Sequence, residues 1–354
     1  MSTRSGILKR AGLELAHASG VFRLAESRAA GSGVILRFER VRPKSAAAFQ
    51  PLQPHEVTPR FLERVIRALR RWKFEFVDIA EARTRARLPR GKTRFAAVTF
   101  DGAYRDFQTH AFPLLQKYDV PFALYVPTGI VDTIVEPWGL VLEAVVARAP
   151  RVVLFMNGEE RRFRSESVAQ KYQVFDALRA WMMTLPPDDI STAISDLCSR
   201  YGVDPKTVTR DVALEWPDIL KLAADPRATI GSATVSYPVL TNISAAAALR
   251  EMKMGKTIIE AALGRECAEF AMPFGCANTF TRRDVLLVQD AGFAGAVSAS
   301  PGLIGGGNEN ETLCLPRISM DGRPRSLRAL RVTLSGLTMP RMRRAAENAG
   351  EFTS

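Results

Sequence analysis

The sequence predicts an α/β fold, a parallel sheet closed or nearly closed into a barrel and carrying a helical insertion. Three observations predict it. Apolar runs of strand length alternate with helical patterns along most of the chain, the arrangement of βα units. One run, Phe95 to Phe100, stops at Asp101 and is followed by a small-residue turn, Gly102-Ala103. A carboxylate where a buried strand emerges is how barrel enzymes present a reacting group, although Asp there is also an ordinary helix cap. Finally, 354 residues with 47% hydrophobic and 24% charged content suffice for a substantial core.

Residues 1–30 read as an amphipathic helix with Ile7, Ala11, Leu15, Ala18 and Phe22 on one stripe, weakened by Gly12 and Gly20. Docking on the main domain and a membrane-surface or partner role are both open to it. Gly33 to Val41 is the first strand. Thr58-Pro59 then opens a helix, cap followed by Pro, whose apolar face is Phe61, Leu62, Val65, Ile66 and Leu69. A strand over Phe74 to Ile79, a helix from Asp106 to Tyr118 interrupted near Pro113, and a strand over Val120 to Pro127 follow. Residues 130–210 read as a helical insertion over one rim, with patterns at 134–148, 167–183 and 188–201, one strand-like run, Arg151 to Met156, and a further helix at 212–224. The insertion either shapes a groove or serves as a lid or interface. Beyond it come a strand from Ala228, a helix over Ala245 to Leu263, and a strand ending in Phe270 to Gly275. A helix over Thr279 to Ala291, stopped by Gly292, precedes strands at Phe293 to Ser298 and Cys314 to Ile318. Residues 326–354 are expected to be a basic helix and tail.

The net charge of +12 favours encounter with anionic partners but carries no information on fold. No aromatic-and-basic stripe accompanies it, so nucleic acid is not an expected partner. The four cysteines lie far apart and suggest neither a zinc knot nor a disulfide scaffold. With no apolar run of membrane-spanning length and no secretion signal, a cytoplasmic location is expected.

The stretch FAAVTFDGAYRDF resembles the TFDDGY motif of the polysaccharide deacetylase family, the family of the NodB-homology domain. GVILRFERV resembles the family's opening GVILMYHRV, and ATIGSATVSYP its GSHTVSHP-like segment. VPTG, MPFG, DAGF and LPRI also look family-like. The resemblance covers roughly residues 33–322 apart from the insertion, and implies an incomplete (β/α) barrel over 31–325. It also implies removal of N-acetyl groups from carbohydrate. In that chemistry an Asp and two His hold zinc or another divalent metal, which acidifies water and stabilises the oxyanion while a first Asp acts as base. Carried over by position, the base is Asp101. The metal-binding Asp position is Gly102, the histidine positions are Ala233 and Tyr237, and Glu39 replaces a further family His. None of the three ligand positions keeps its ligand, so no cofactor is expected.

Two function classes follow. One is a deacetylase impaired or using other chemistry, with Asp101 as base and Tyr237 or Asp106 assisting. The other is a non-catalytic carbohydrate- or protein-binding pseudoenzyme of polysaccharide metabolism. In either, Met272, Pro273, Phe274 and Gly275 are expected to line the groove. Glu39 and Asp101 could share a cation, while His17, His55 and His110 are expected to be structural.

Overall fold

The computed structural model describes residues 12–22, 31–89, 91, 93–305, 313–320 and 326–337. The first half runs β1 (Gly33–Phe38), β2 (Arg40–Val41), β3 (Glu56–Val57), α1 (Pro59–Arg71), β4 (Glu75–Phe76), α2 (Ile79–Ala86), β5 (Phe95–Asp101), α3 (Phe112–Lys117), β6 (Phe122–Val126) and α4 (Thr128–Val131). After a long excursion it resumes with β9 (Ala228–Ser232), α10 (Ala245–Leu263), β10 (Glu269–Ala271), α11 (Arg282–Asp290), β11 (Gly295–Val297), β12 (Cys314–Leu315), β13 (Ile318–Ser319) and α12 (Leu327–Leu334). The main sheet has nine strands in the order β12-β11-β10-β9-β6-β5-β1-β13, with β4 beside the start of β5. Its pairings are parallel. Only Pro316 and Arg317 separate the strands at its two ends. The sheet is a parallel half-barrel whose open seam falls between consecutive strands.

Period-two alternation divides each strand between two cores. Val34, Leu36, Phe38, Ala96, Val98 and Phe100 face the helices in the larger core. Ile35, Phe95, Ala97, Ala123, Tyr125, Ala233 and Ala271 fill the barrel interior. On the same parity as the interior set, toward the C-terminal ends of β1 and β5, stand Arg37, Thr99 and Asp101, polar and buried. The apolar filling gives way there to a charged layer.

The excursion contains α5 (Trp138–Arg148), the antiparallel hairpin β7 (Arg151–Met156) and β8 (Glu159–Arg164), α6 (Val168–Met182), α7 (Pro187–Tyr201), α8 (Pro205–Val212) and α9 (Trp216–Ala223). Val141, Leu142, Val152, Phe175, Leu178 and Leu197 belong to a core of its own, onto which Phe49 and Leu52 from the β2–β3 connection also pack. Strand β8 lies outside the expected helical reading because its sequence, EERRFR, is almost wholly charged and exposed.

Other local differences have simple causes. The run from Phe74 yields only a two-residue strand, because Asp78 accepts a hydrogen bond from the Glu81 N–H and starts α2. The segment before Pro113 opens into a wide π turn (Phe107–Ala111), since proline supplies no amide donor. Of the N-terminal stripe, Ile7 and Ala11 lie outside the described residues. Leu15 and Ala18 are exposed, and Phe22 is the buried member. Glu14 accepts a hydrogen bond from Ser326, so this segment rests against the start of α12. The tail beyond residue 337 lies outside the described residues.

Candidate functional site

The C-terminal ends of the parallel strands open onto a pocket of about 280 Å³, the end at which parallel α/β sheets bind ligands. Strand β1 contributes Arg37 and, just beyond its end, Glu39. Strand β5 contributes Asp101, followed by Gly102 and Tyr104. The loop after β9 contributes Ser236 and Tyr237, and the loop after β10 Phe274, Cys276 and Thr279. From the excursion come Trp138, Leu140, Arg179 and Met183, so it forms one wall. His55, from the β2–β3 connection, completes the rim.

The floor is a chain of alternating guanidinium and carboxylate groups that ends on an imidazole. Arg317 is fully buried, and it donates to both carboxylate oxygens of Asp101, at 2.6 and 2.7 Å. It also donates to Thr99 Oγ1 at 3.1 Å and, through Nε, to the Ser298 carbonyl at 2.7 Å. Arg37 donates through Nε to Asp101 and through Nη2 to Glu39. Glu39 in turn meets His55, Oε2 to Nδ1, at 2.7 Å. The order is therefore Arg317, Asp101, Arg37, Glu39, His55, running from the sealed interior to a ring whose side chain is 36% exposed.

Electrostatics fixes the charge states of Asp101, Glu39 and Arg37. Burial alone would raise the Asp101 carboxyl, but attraction to Arg317 and then Arg37 outweighs it and holds it below the ordinary value. Glu39 is likewise held down, Arg37 and then His55 overcoming its burial. Arg37 itself is held well above its usual value, because Glu39 and Asp101 more than offset its desolvation. A carboxylate so stabilised, with both oxygens engaged, is a weak proton acceptor. Asp101 occupies the expected place but is chemically an anchor for two guanidinium groups.

The remaining expected residues are distributed as follows. Gly102 has φ +90°, and a Cβ there would lie 2.5 Å from the Tyr104 ring. The space of a side chain at 102 is already filled. Ala233 is wholly buried in the barrel interior, with Tyr237 packed against the same cluster. Tyr237 (φ 54°), Thr234 (φ 67°) and Phe274 (φ 59°) are in the left-handed region, strained for non-glycine residues and concentrated at this rim. Glu251 on α10 holds the first loop, accepting from the amides of Val235 and Ser236 and from the Ser236 hydroxyl at 2.8 to 2.9 Å. Asp106 stands behind the pocket, bound at 2.7 Å by Arg40, which lines it.

The expectation for the groove residues needs correction. Phe274 lines the pocket, but Met272, Pro273 and Gly275 do not. Met272 continues β10 with its side chain in the helix-facing core, Pro273 is buried, and Gly275 is pressed against the Ala299 backbone. Trp138, Phe274 and Tyr237 instead form a continuous aromatic wall, with ring centroids 6.5 and 5.0 Å apart. His55, expected to be structural, belongs to the pocket. Arg37 is the cation that Glu39 and Asp101 share.

The donor set does not suit a metal. Among the described residues no group of three or more His, Cys, Asp or Glu is arranged to hold one. Both oxygens of Asp101 and both of Glu39 have cationic or imidazole partners, and a guanidinium lies between the two carboxylates.

The parallel half-barrel with its pocket at the strand ends is the fold of solved deacetylase structures. The family model described as polysaccharide deacetylase matches residues 182–294, which include β9, β10 and their pocket loops. Among solved structures, the chain is similar to IcaB from Ammonifex degensii (16% identity, 86% of this chain and 97% of that chain, TM-score 0.54). It is also similar to the deacetylase PplD from Streptococcus pyogenes, solved with acetate (15% identity, 85% and 97%, TM-score 0.53). A polysaccharide deacetylase from Bacillus cereus shares 15% identity over 85% of this chain and 68% of that one, with TM-score 0.53. A search of curated protein sequences finds no significant match. Over residues 182–294 the chain is thus similar to the polysaccharide deacetylase family, and it shares the fold of solved deacetylases.

Proposed function

We propose that this protein binds an acetylated oligo- or polysaccharide in the pocket and does not carry out metal-dependent N-deacetylation. One observation carries the reading: the volume and charge that a metal and its ligands would need are taken by Tyr104, Tyr237 and the Arg37 guanidinium. Lewis-acid stabilisation amounts to several kcal/mol, and losing about 4 kcal/mol slows a reaction roughly a thousandfold. Amide hydrolysis by the metal route is thereby nearly extinguished. Binding is supported by the aromatic wall, since rings with a few polar groups are the usual lining of ligand pockets.

The test is elemental analysis of the purified protein, with acetate release from N-acetylglucosamine oligomers in the presence and absence of added zinc, and calorimetric titration of the same oligomers. The expected result is no stoichiometric metal, no zinc-stimulated acetate release, and saturable binding that Trp138→Ala weakens. Stoichiometric metal with zinc-dependent acetate release would overturn it.

A further inference from the structure

We propose that a second cleft, between the N-terminal segment, the end of α1 and the start of α12, binds an organic phosphate, a monoester or a diphosphate. It is separate from the pocket at the strand ends and independent of what that pocket holds.

The cleft has a volume of about 320 Å³. Trp72 caps α1 there, and the chain leads through Lys73 and Phe74 into β4, which pairs with the start of β5. The cleft therefore lies toward the N-terminal edge of the sheet, away from the first pocket. Its walls carry two kinds of group. Arg71 ends α1, and Arg328 and Arg331 stand one turn apart on α12. Trp72, Leu327 and a stacked pair, His17 and Phe22 with ring centroids 5.2 Å apart, form the rest. The pair forms because the chain turns at Gly20, whose φ of 72° glycine adopts without strain, and returns Phe22 onto the His17 ring.

Charge selects the ligand. Glu14 stands 3.8 Å from Arg328 and also accepts a hydrogen bond from Ser326. Arg71 is exposed and makes no ion pair among the described residues. The row continues outside the cleft, because Arg60, Arg64 and Arg67 precede Arg71 at helical spacing, opposite the buried Leu62, Val65, Ile66 and Leu69. These three are exposed and likewise make no ion pair among the described residues. Like charges one turn apart repel, so the row contributes nothing to the helix. It does raise the local potential and draw anions toward the cleft at its end. Guanidinium forks from two helices suit an anion with several acceptor oxygens. A phosphate monoester offers three, with close to two charges at neutral pH, where a carboxylate offers one charge and two oxygens.

The apolar part selects what the phosphate is attached to. The Arg331 guanidinium lies over the Trp72 ring, 5.1 Å from its centroid, which holds a donor beside an aromatic surface. A bare phosphate would leave Trp72, Leu327 and Phe22 uncovered, whereas an ester carrying a ring or an acyl chain would cover them.

The experiment titrates the full chain at low ionic strength with adenosine diphosphate and with inorganic pyrophosphate, by calorimetry. In parallel it follows sedimentation with phosphatidylcholine vesicles that contain or lack phosphatidic acid, a lipid phosphate monoester. Saturable binding is expected, weakened about tenfold or more by Arg71→Gln, the scale of one charge-assisted hydrogen bond. Arg64→Gln removes an equal charge outside the cleft and should weaken binding less. Both variants alter exposed side chains and should melt as the parent does. Adenosine diphosphate bound while both kinds of vesicle are ignored assigns a soluble ester. Sedimentation that needs phosphatidic acid and is competed by adenosine diphosphate assigns a lipid headgroup. Binding of none of these probes would overturn the proposal, and so would undiminished binding in Arg71→Gln. Equal losses in Arg71→Gln and Arg64→Gln would reduce the cleft to a general field and also overturn it. Pyrophosphate bound as tightly as adenosine diphosphate would overturn the assignment to an organic ester.

Discussion

Replacing Asp101 by Asn removes the one negative charge between two buried guanidinium groups, and the outcome can be worked out from the geometry. Asp101 is 2% exposed and Arg317 is fully buried. At an effective dielectric of about 20, unit charges ~4 Å apart attract by ~4 kcal/mol, most of which compensates their desolvation. Breaking such a pair leaves that desolvation uncompensated and typically costs about 3–5 kcal/mol. Asn can still accept from one guanidinium but cannot neutralise either. Asp101→Asn should therefore lower stability at pH 7 by about 3–5 kcal/mol. The sign with pH is fixed as well. The folded carboxyl is held below its unfolded value, near 3.9 in model peptides, so its contribution is complete above that value and is lost as pH falls through the folded one. The gap between parent and variant should stay constant from neutral pH to about pH 5 and narrow below about pH 4. Urea denaturation can follow it through Trp72 and Trp216, which pack on the main core, and Trp138 and Trp181, which pack on the excursion's core. A gap of less than about 1 kcal/mol at pH 7, the scale of an exposed ion pair, would refute the reasoning. So would a gap that does not change on acidification.

Three further outcomes are expected. Gly102→Asp should bind no zinc and should lower stability by about 1–3 kcal/mol, the scale of a strained left-handed backbone, with part of the loss recovered when Tyr104→Ala clears the ring; zinc titration and thermal melting check both. Glu251→Ala should weaken oligomer binding together with stability, because that carboxylate fixes the loop carrying Tyr237; calorimetry showing unchanged affinity would separate the loop from the ligand. Burial, and then Glu56, push Glu143 up to about 7, so the folded state favours its protonated form and loses stability as pH rises from about 4.5 to about 7. Glu143→Gln should accordingly raise Tm at pH 8 and leave it unchanged at pH 4.

The architecture was readable because its determinants are local. Thr58 does cap α1, accepting from the Phe61 amide at 3.2 Å, and the helix over Ala245 to Leu263 ends at Gly264 in the left-handed conformation. Strand β7 was legible as the run Arg151 to Met156, but its hairpin partner β8 was not, because β8 has no apolar alternation. Its signal was Asn157-Gly158, whose positive φ angles are those of a tight hairpin turn. The site was half legible. Asp101 announced itself by ending an apolar strand, but its partners did not. Arg37 sits within GVILRF, where an apolar run hides a charge that only the strand's parity turns inward, and Arg317 looked like part of a scaffold motif. His55 meets Glu39 across the loop between β2 and β3, a pairing set by tertiary structure and invisible to spacing.

Arg317 has a mechanical consequence beyond charge. It lies in the two-residue link between β12 and β13, the strands at opposite margins of the sheet, and its head reaches across to β5 and to Ser298 just beyond β11. These marginal strands are two residues long, so they offer few ladder bonds of their own and are where the sheet is least costly to open. Parting the seam would withdraw Arg317 from Asp101, leaving Arg37 divided between two carboxylates. Closure of the barrel and organisation of its pocket are thus one cooperative event, and amide exchange at the seam should report on the state of the site more than 200 residues earlier in the chain.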